Sequence, residues 1–157
     1  MKAQPTLAGP REARTFRAVS VAEKQQSLVD LFGAIPDSQE KLSAIVEWSK
    51  RVPRLPASAR TAENRVPGCV SPVWVVIEPL KNSTTRVHAD AESPVVRALV
   101  CALAEIYHGA HSDDIVATEP SLLDKLGLTT SLSITRRNGL VAVRHRIRET
   151  VRATLAT

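Results

Sequence analysis

A chain of 157 residues, of which 43% are apolar, can bury a core as one domain, and a sequence this apolar does not read as disordered. Its formal charge of +5 sits at the two ends: four bases against one acid from Met1 to Val19, six against one from Arg136 to Thr157, and an acidic middle. A basic terminal face with only 3% aromatic residues does not describe a nucleic-acid reader, and no apolar run approaches the roughly 18 residues of a membrane span, so a cytoplasmic protein engaging neither partner is expected.

In chain order, residues 1–19 read as a flexible basic extension and 20–157 as the folded domain. Val21 to Ala34 carries Leu28, Leu31 and Phe32 at the spacing of a weakly amphipathic helix. A second helix is predicted over Ser38 to Ser49, with Asp37 or Ser38 as N-cap. Between Arg51 and Gly68 stand three prolines and no periodicity, the mark of a long surface connection, and such connections usually carry function. Val73 to Glu78 and Thr84 to Ala89 read as a β-hairpin across Lys81, Asn82 and Ser83.

Pro94 opens an apolar helix through His108, ended by Gly109. Ser112 is expected to cap a short helix through Val116, Pro120 to start another, and Gly127 to close it. The last helix begins near Thr135 and places Leu140, Val143, Ile147 and Val151 on one side, with most arginines opposite. Trp74 is expected to be core and Trp48 core or interface. The class is α+β, helices packed on a small antiparallel sheet.

The chemistry concentrates at one cysteine. Cys69 and Cys101 are too far apart in sequence for a CxxC redox pair or a zinc knuckle, and two cysteines are no disulfide framework. Cys101 lies in an apolar helix and reads as structural. Cys69 sits in turn chemistry: Gly68 allows positive φ, Pro67 and Pro72 stiffen the flanks, and successive N–H groups at such a turn can cradle an anion. From these residues alone, Cys69 is either a reactive thiol or a small buried hydrophobe. His108 and His111 lack a third metal ligand, and Ser131 and Ser133 lack a nucleophile-elbow context.

The segment Glu63-Asn64-Arg65-Val66-Pro67-Gly68-Cys69-Val70-Ser71-Pro72-Val73-Trp74 resembles the signature of the SufE family, sulfur-acceptor proteins that serve cysteine desulfurases in iron–sulfur cluster assembly. Arg54-Leu55-Pro56 looks like the lead-in to that family's active loop, and Leu99 to Tyr107 with Gly109 fit its central helix. Leu132-Ser133-Ile134-Thr135-Arg136-Arg137-Asn138-Gly139-Leu140 is similar to its LSPTRSNGL block, so the resemblance spans roughly residues 41–148. Val70 and Pro72 depart from it where glutamine is common, and Glu92 where aspartate is.

The resemblance implies a SufE/IscU-type fold with about three antiparallel strands against helices. It implies that Cys69 accepts persulfide sulfur and that Arg136 contacts an anion or the partner. Arg65, Gly68, Ser71 and Arg136 would form the partner-binding set. The partners implied are a cysteine desulfurase (SufS-like or CsdA-like), which the chain would stimulate, and an iron–sulfur scaffold complex (SufBCD-like). Pyridoxal phosphate would belong to the desulfurase, leaving this chain without a cofactor, as an accessory carrier rather than a self-sufficient enzyme, monomeric or homodimeric. Two other readings remain: a stand-alone Cys69 thiol enzyme or redox sensor, which would need a histidine base or a resolving thiol, and a basic binding module acting through the last helix.

Overall fold

The computed structural model describes residues 18–157, so the basic extension expected over residues 1–19 lies, up to position 17, outside the described residues. Ala18 is buried. Helix α1 (Val21–Phe32) opens on a reciprocal cap, in which the Ser20 hydroxyl accepts from the Glu23 N–H and the Glu23 carboxylate accepts from the Ser20 N–H. Helix α2 (Ser38–Ser49) is capped by Asp37, whose carboxylate accepts from the Glu40 N–H at 2.9 Å. Strands β1 (Val73–Pro79) and β2 (Thr85–Ala91) pair antiparallel from Val73↔Ala91 to Pro79↔Thr85. The turn between them places Asn82 and Ser83 at φ 67° and 60°.

Helix α3 (Pro94–Tyr107) is the hub. Ala98 to Ala104, Ile106 and Tyr107 are all buried, because α1, α2, the last helix and the sheet surround it, as a helix apolar on every side requires. Gly109, at φ +79°, turns the chain back toward the sheet, where its N–H donates to the Thr85 carbonyl at 2.8 Å. Short helices α4 (Ser112–Ala117) and α5 (Leu122–Lys125) follow, and Gly127 at φ +68° closes α5. Helix α6 (Ile134–Ala156), capped by the Ser133 hydroxyl, buries Leu140, Val143, Ile147 and Val151 as its spacing predicts.

Several expectations need correction. Among the described residues the sheet has two strands, not about three, because the Asn64–Val66 arm joins β1 by a single bridge, Arg65↔Trp74. Pairing stops there: Pro67 has no N–H to donate and Gly68 turns away at φ +91°. Ser112 is the first residue of its helix, and its hydroxyl bonds that of Thr85 at 2.7 Å instead of capping. The helix expected from Pro120 starts at Leu122. Trp74 is half-buried with the Arg60 guanidinium 5.7 Å above its ring, and Trp48 packs edge-on to Phe32 at 6.1 Å. Arg144 departs from the other arginines of α6 and is buried against Glu119.

The long connection between α2 and β1 is fastened from inside by one carboxylate. Asp90 on β2 is fully buried and accepts from Arg97 Nε at 2.8 Å, Arg54 Nε at 3.1 Å, the Leu55 N–H at 2.9 Å and the Ala91 N–H at 2.8 Å. Arg97, buried on α3, spends its remaining donors on the Ser49 carbonyl at 2.6 Å and the Val52 carbonyl at 2.8 Å. Arg54-Leu55 is thereby clamped to the sheet. Burial opposes the Asp90 charge, but the hydrogen bonds from Leu55, Arg54, Arg97 and Ala91 outweigh it and hold the carboxyl below the usual aspartate range.

Replacing Asp90 by Asn leaves a buried guanidinium without its counter-charge, and a loss of about 3 kcal/mol in urea unfolding is expected. The sign of the pH effect follows from the depressed carboxyl: the stabilisation is complete above the ordinary aspartate pKa and is lost as pH falls through the lower native one. The acid branch of stability should therefore be shallower in Asp90→Asn than in the wild type. Equal slopes would contradict the assignment.

Candidate functional site

Cys69 stands at the tip of the turn joining the Asn64–Val66 arm to β1. The two sides of the turn are held by Val66 N–H to Val73 O at 2.9 Å, Val75 N–H to Asn64 O at 2.9 Å, and Glu92 N–H to Pro72 O at 3.2 Å. Between those ties, Pro67 and Gly68 form a turn that the Cys69 N–H closes, whereas the N–H groups of Gly68, Val70 and Ser71 have no acceptor among the described residues. The tip lies along α6. An added Cβ at Gly68 would only touch the Ala142 methyl, at 3.4 Å, but would sit at φ +91°, so it is the turn that favours glycine.

The thiol borders a cleft of about 320 Å³ between the tip, the first turns of α3 and the first turns of α6. Val73, Val96, Leu99, Val100 and Leu140 make its floor, and Ser71, Ser93, Ser133, Thr135 and Arg136 its polar rim. Two helix N-termini meet here, capped by Ser93 and Ser133, so the positive ends of both macrodipoles face the cleft. Among the described residues no histidine, aspartate or glutamate lines it.

Cys69 is half-buried, and its S–H donates to the Gly139 carbonyl at 3.5 Å. Burial pushes the thiol above its ordinary pKa, partly offset by the charge of Arg65. A free thiol is only a few per cent ionised at neutral pH, and this one is ionised less. At rest Cys69 is a sheltered thiol rather than a thiolate. Val70 beside it is 81% exposed.

Of the residues singled out from sequence, Cys69, Ser71 and Arg136 line the same cleft. Arg136 is exposed, and its guanidinium has no ion pair or hydrogen bond among the described residues. Arg65 and Gly68 do not line the cleft. Arg65 acts on the thiol by charge, and Gly68 seats the tip on α6. Asn138 and Gly139 fall within the second turn of the last helix, where a Cβ at position 139 would stand 3.6 Å from Cys69 Sγ, in ordinary van der Waals contact. Ser93 and Arg146, which reaches the cysteine-bearing arm, were missed, because only the fold brings them near the cysteine.

Cys101 is buried on α3, its S–H pointing to the Ala89 carbonyl at 3.6 Å and its pKa pushed up to about 11 by burial. It is a structural thiol. His108 places Nδ1 against the Val87 backbone and its ring 5.0 Å from that of His88, and among the described residues no group of three or more His, Cys, Asp or Glu could hold a metal. No helix among them is long and apolar enough to cross a membrane.

Comparison with known proteins bears on the same segment. Residues 26–151 match the family model described as SufE: Fe-S metabolism associated domain. An uncharacterized SufE-like protein of Rhizobium etli is 31% identical over 144 residues, covering 89% of this chain and 94% of that one. A SufE-like protein of Rhizobium meliloti is 30% identical over 133 residues, covering 77% and 89%. SufE-like protein 1, chloroplastic/mitochondrial, of Arabidopsis thaliana is 31% identical over 118 residues, covering 75% of this chain and 32% of its own. The solution structure of a hypothetical protein from Thermus thermophilus superposes with a TM-score of 0.70 at 23% identity, over 85% of this chain and 97% of that one, and shows the same α+β fold.

The thiol's environment predicts a pH profile. Alkylation of Cys69 by iodoacetamide should rise with a midpoint above the value of about 8.5 for an unperturbed thiol, because burial favours the neutral form. Arg65→Gln removes a charge that favours the anion and should move the midpoint higher still. A midpoint below that of free cysteine would contradict this account.

Proposed function

Because the chain belongs to the SufE family, whose domain description places it in iron–sulfur metabolism, we propose that it is a sulfur carrier. Cys69 takes a sulfur atom from a pyridoxal-phosphate cysteine desulfurase and passes it to an iron–sulfur scaffold, and by clearing the donor it stimulates the desulfurase. The observation that carries this reading is the family's signature cysteine standing at the lip of a cleft with an unpaired cation and unpaired N–H groups but no base among the described residues.

The step is an exchange at sulfur. The Cys69 thiol loses its proton to a base outside this cleft, and the thiolate attacks the outer sulfur of the donor persulfide. The bond between that sulfur and the donor cysteine breaks. A new S–S bond forms on Cys69, and the donor leaves as a thiolate that takes up a proton, so no net oxidation or reduction occurs. A base within the cleft would be needed for a self-sufficient thiol enzyme, and a second accessible thiol for a disulfide redox sensor. The lining holds neither, and Cys101 is buried against Ala89. Both features favour a carrier whose thiol is activated by the docked donor.

A persulfide is more acidic than its parent thiol, so the loaded carrier is an anion. The free Arg136 guanidinium, the N–H groups of Val70 and Ser71 and the N-termini of α3 and α6 supply positive potential where it would lie. The departures at Val70 and Pro72 change little here, because Pro72 contributes only its carbonyl and Val70 faces outward as an apolar contact for a partner. In this reading Arg65, Gly68, Ser71 and Arg136 form the partner-facing rim. The free thiols fit a reducing compartment such as the cytoplasm.

Incubating the protein with a cysteine desulfurase, pyridoxal phosphate and cysteine should add the mass of one sulfur, which Cys69→Ser abolishes along with the stimulation. Full stimulation by Cys69→Ser would refute the proposal. Arg136→Ala should fold normally and load at least about tenfold more slowly, the equivalent of one charge-assisted hydrogen bond.

A further inference from the structure

We propose that Arg146 is a positioning residue for the sulfur-carrying cysteine: its guanidinium grips the outer arm of the Cys69 turn on α6 and sets how often the tip leaves its cleft. The use of that motion rests on the sulfur-carrier reading, but the grip itself is a property of the free chain. Arg146 Nη1 donates to the Arg65 carbonyl at 3.1 Å, and Nη2 donates to the Glu63 carbonyl.

The geometry follows from strand alternation. Asn64 O and Val66 N–H face β1, so the Arg65 carbonyl faces away from the sheet, on an edge that would otherwise carry unpaired acceptors. Arg146 closes that edge. It makes no ion pair among the described residues, so its charge is committed to the two carbonyls, whereas Arg144 and Arg152 on the same helix are paired with Glu119 and Glu149.

Gly139, Ala142 and Arg146 form one stripe of α6, at i, i+3 and i+7, and the turn lies along it. At the tip the one hydrogen bond is a weak one, from the thiol to a carbonyl, beside the packing of the half-buried Cys69 side chain on the core. At the base there is a planar fork across two carbonyls, which a compact ammonium does not span. Strong at the base and weak at the tip is the arrangement of a hinge. The fork fixes where residues 67–71 pivot and holds the thiol in register with Gly139.

The test is alkylation of the full-length protein by iodoacetamide under native conditions, read by mass at each cysteine, in wild type, Arg146→Ala, Arg146→Lys and Arg152→Ala. Cys101, 3% exposed, reports global opening within the same molecule. Expected is a rise of roughly threefold to tenfold at Cys69 in Arg146→Ala, the worth of ordinary hydrogen bonds, with a smaller rise in Arg146→Lys. Arg152→Ala should match wild type, and Cys101 should stay slow in every variant. A wild-type rate at Cys69 in Arg146→Ala, or Cys69 and Cys101 accelerating together, overturns the proposal.

With a cysteine desulfurase, Arg146→Ala should reach half-maximal stimulation at a lower concentration with an unchanged maximum. An unchanged half-maximal concentration beside normal wild-type stimulation overturns the assignment of the grip to sulfur transfer. No stimulation by any form, with the alkylation result as expected, would sink the carrier reading and leave the grip standing.

Discussion

Asp90 holds its carboxylate inside the protein against two arginines and two backbone N–H groups. Removing Asp90 or Arg97 leaves the other charge buried, whereas Arg54, its side chain more than half exposed, keeps its access to water. The carboxylate comes from β2, Arg97 from α3, and Arg54 and Leu55 from the long connection, while Arg97 also holds the end of α2 through Ser49 and Val52. One buried group therefore fixes where the connection leaves the second helix and how it meets the sheet. Everything downstream, from the Arg65↔Trp74 bridge to the seat of Cys69 on α6, inherits that position.

A frame so firmly tied ends in a tip that is barely tied at all. On the proposed reading Cys69 meets conflicting demands: a sulfur acceptor must be reached by another protein, yet a thiolate standing in water is open to oxidation. The structure separates the two in state rather than in place. At rest the thiol is half-buried, protonated and directed at a carbonyl, so its reactivity is low. The one hydrogen bond that keeps it there is a weak one from sulfur to a carbonyl, beside the packing of its half-buried side chain on the core. Cleft cations and helix N-termini then favour the anion once it forms.

How much of this was legible in the sequence depends on the range over which each signal acts. Local chemistry was: the Asp37 cap, the Pro94 start, Gly109 and Gly127 at helix ends, and the α6 stripe all follow from the chain's own spacing. The signature around Cys69 was legible too, because its turn needs glycine in place. What escaped were residues whose role is set by a distant partner. Asp90 lies just past the end of the predicted second strand and Arg97 within an apolar helix, and only the fold brings them together. Trp74 failed for a different reason: it alternates with the buried Val73 and Val75 and so stands on the other, half-covered face of the sheet.

The central claim is that a rigid frame presents a loosely held thiol, and amide hydrogen exchange on the free protein, resolved by residue, tests it most directly. The Leu55, Val66 and Val75 amides, bonded to Asp90, Val73 and Asn64, should exchange as slowly as the core of α3. Gly68, Val70 and Ser71 should exchange at rates close to those of an open chain. A tip as protected as its base, or a Leu55 amide exchanging as fast as the tip, would contradict the account.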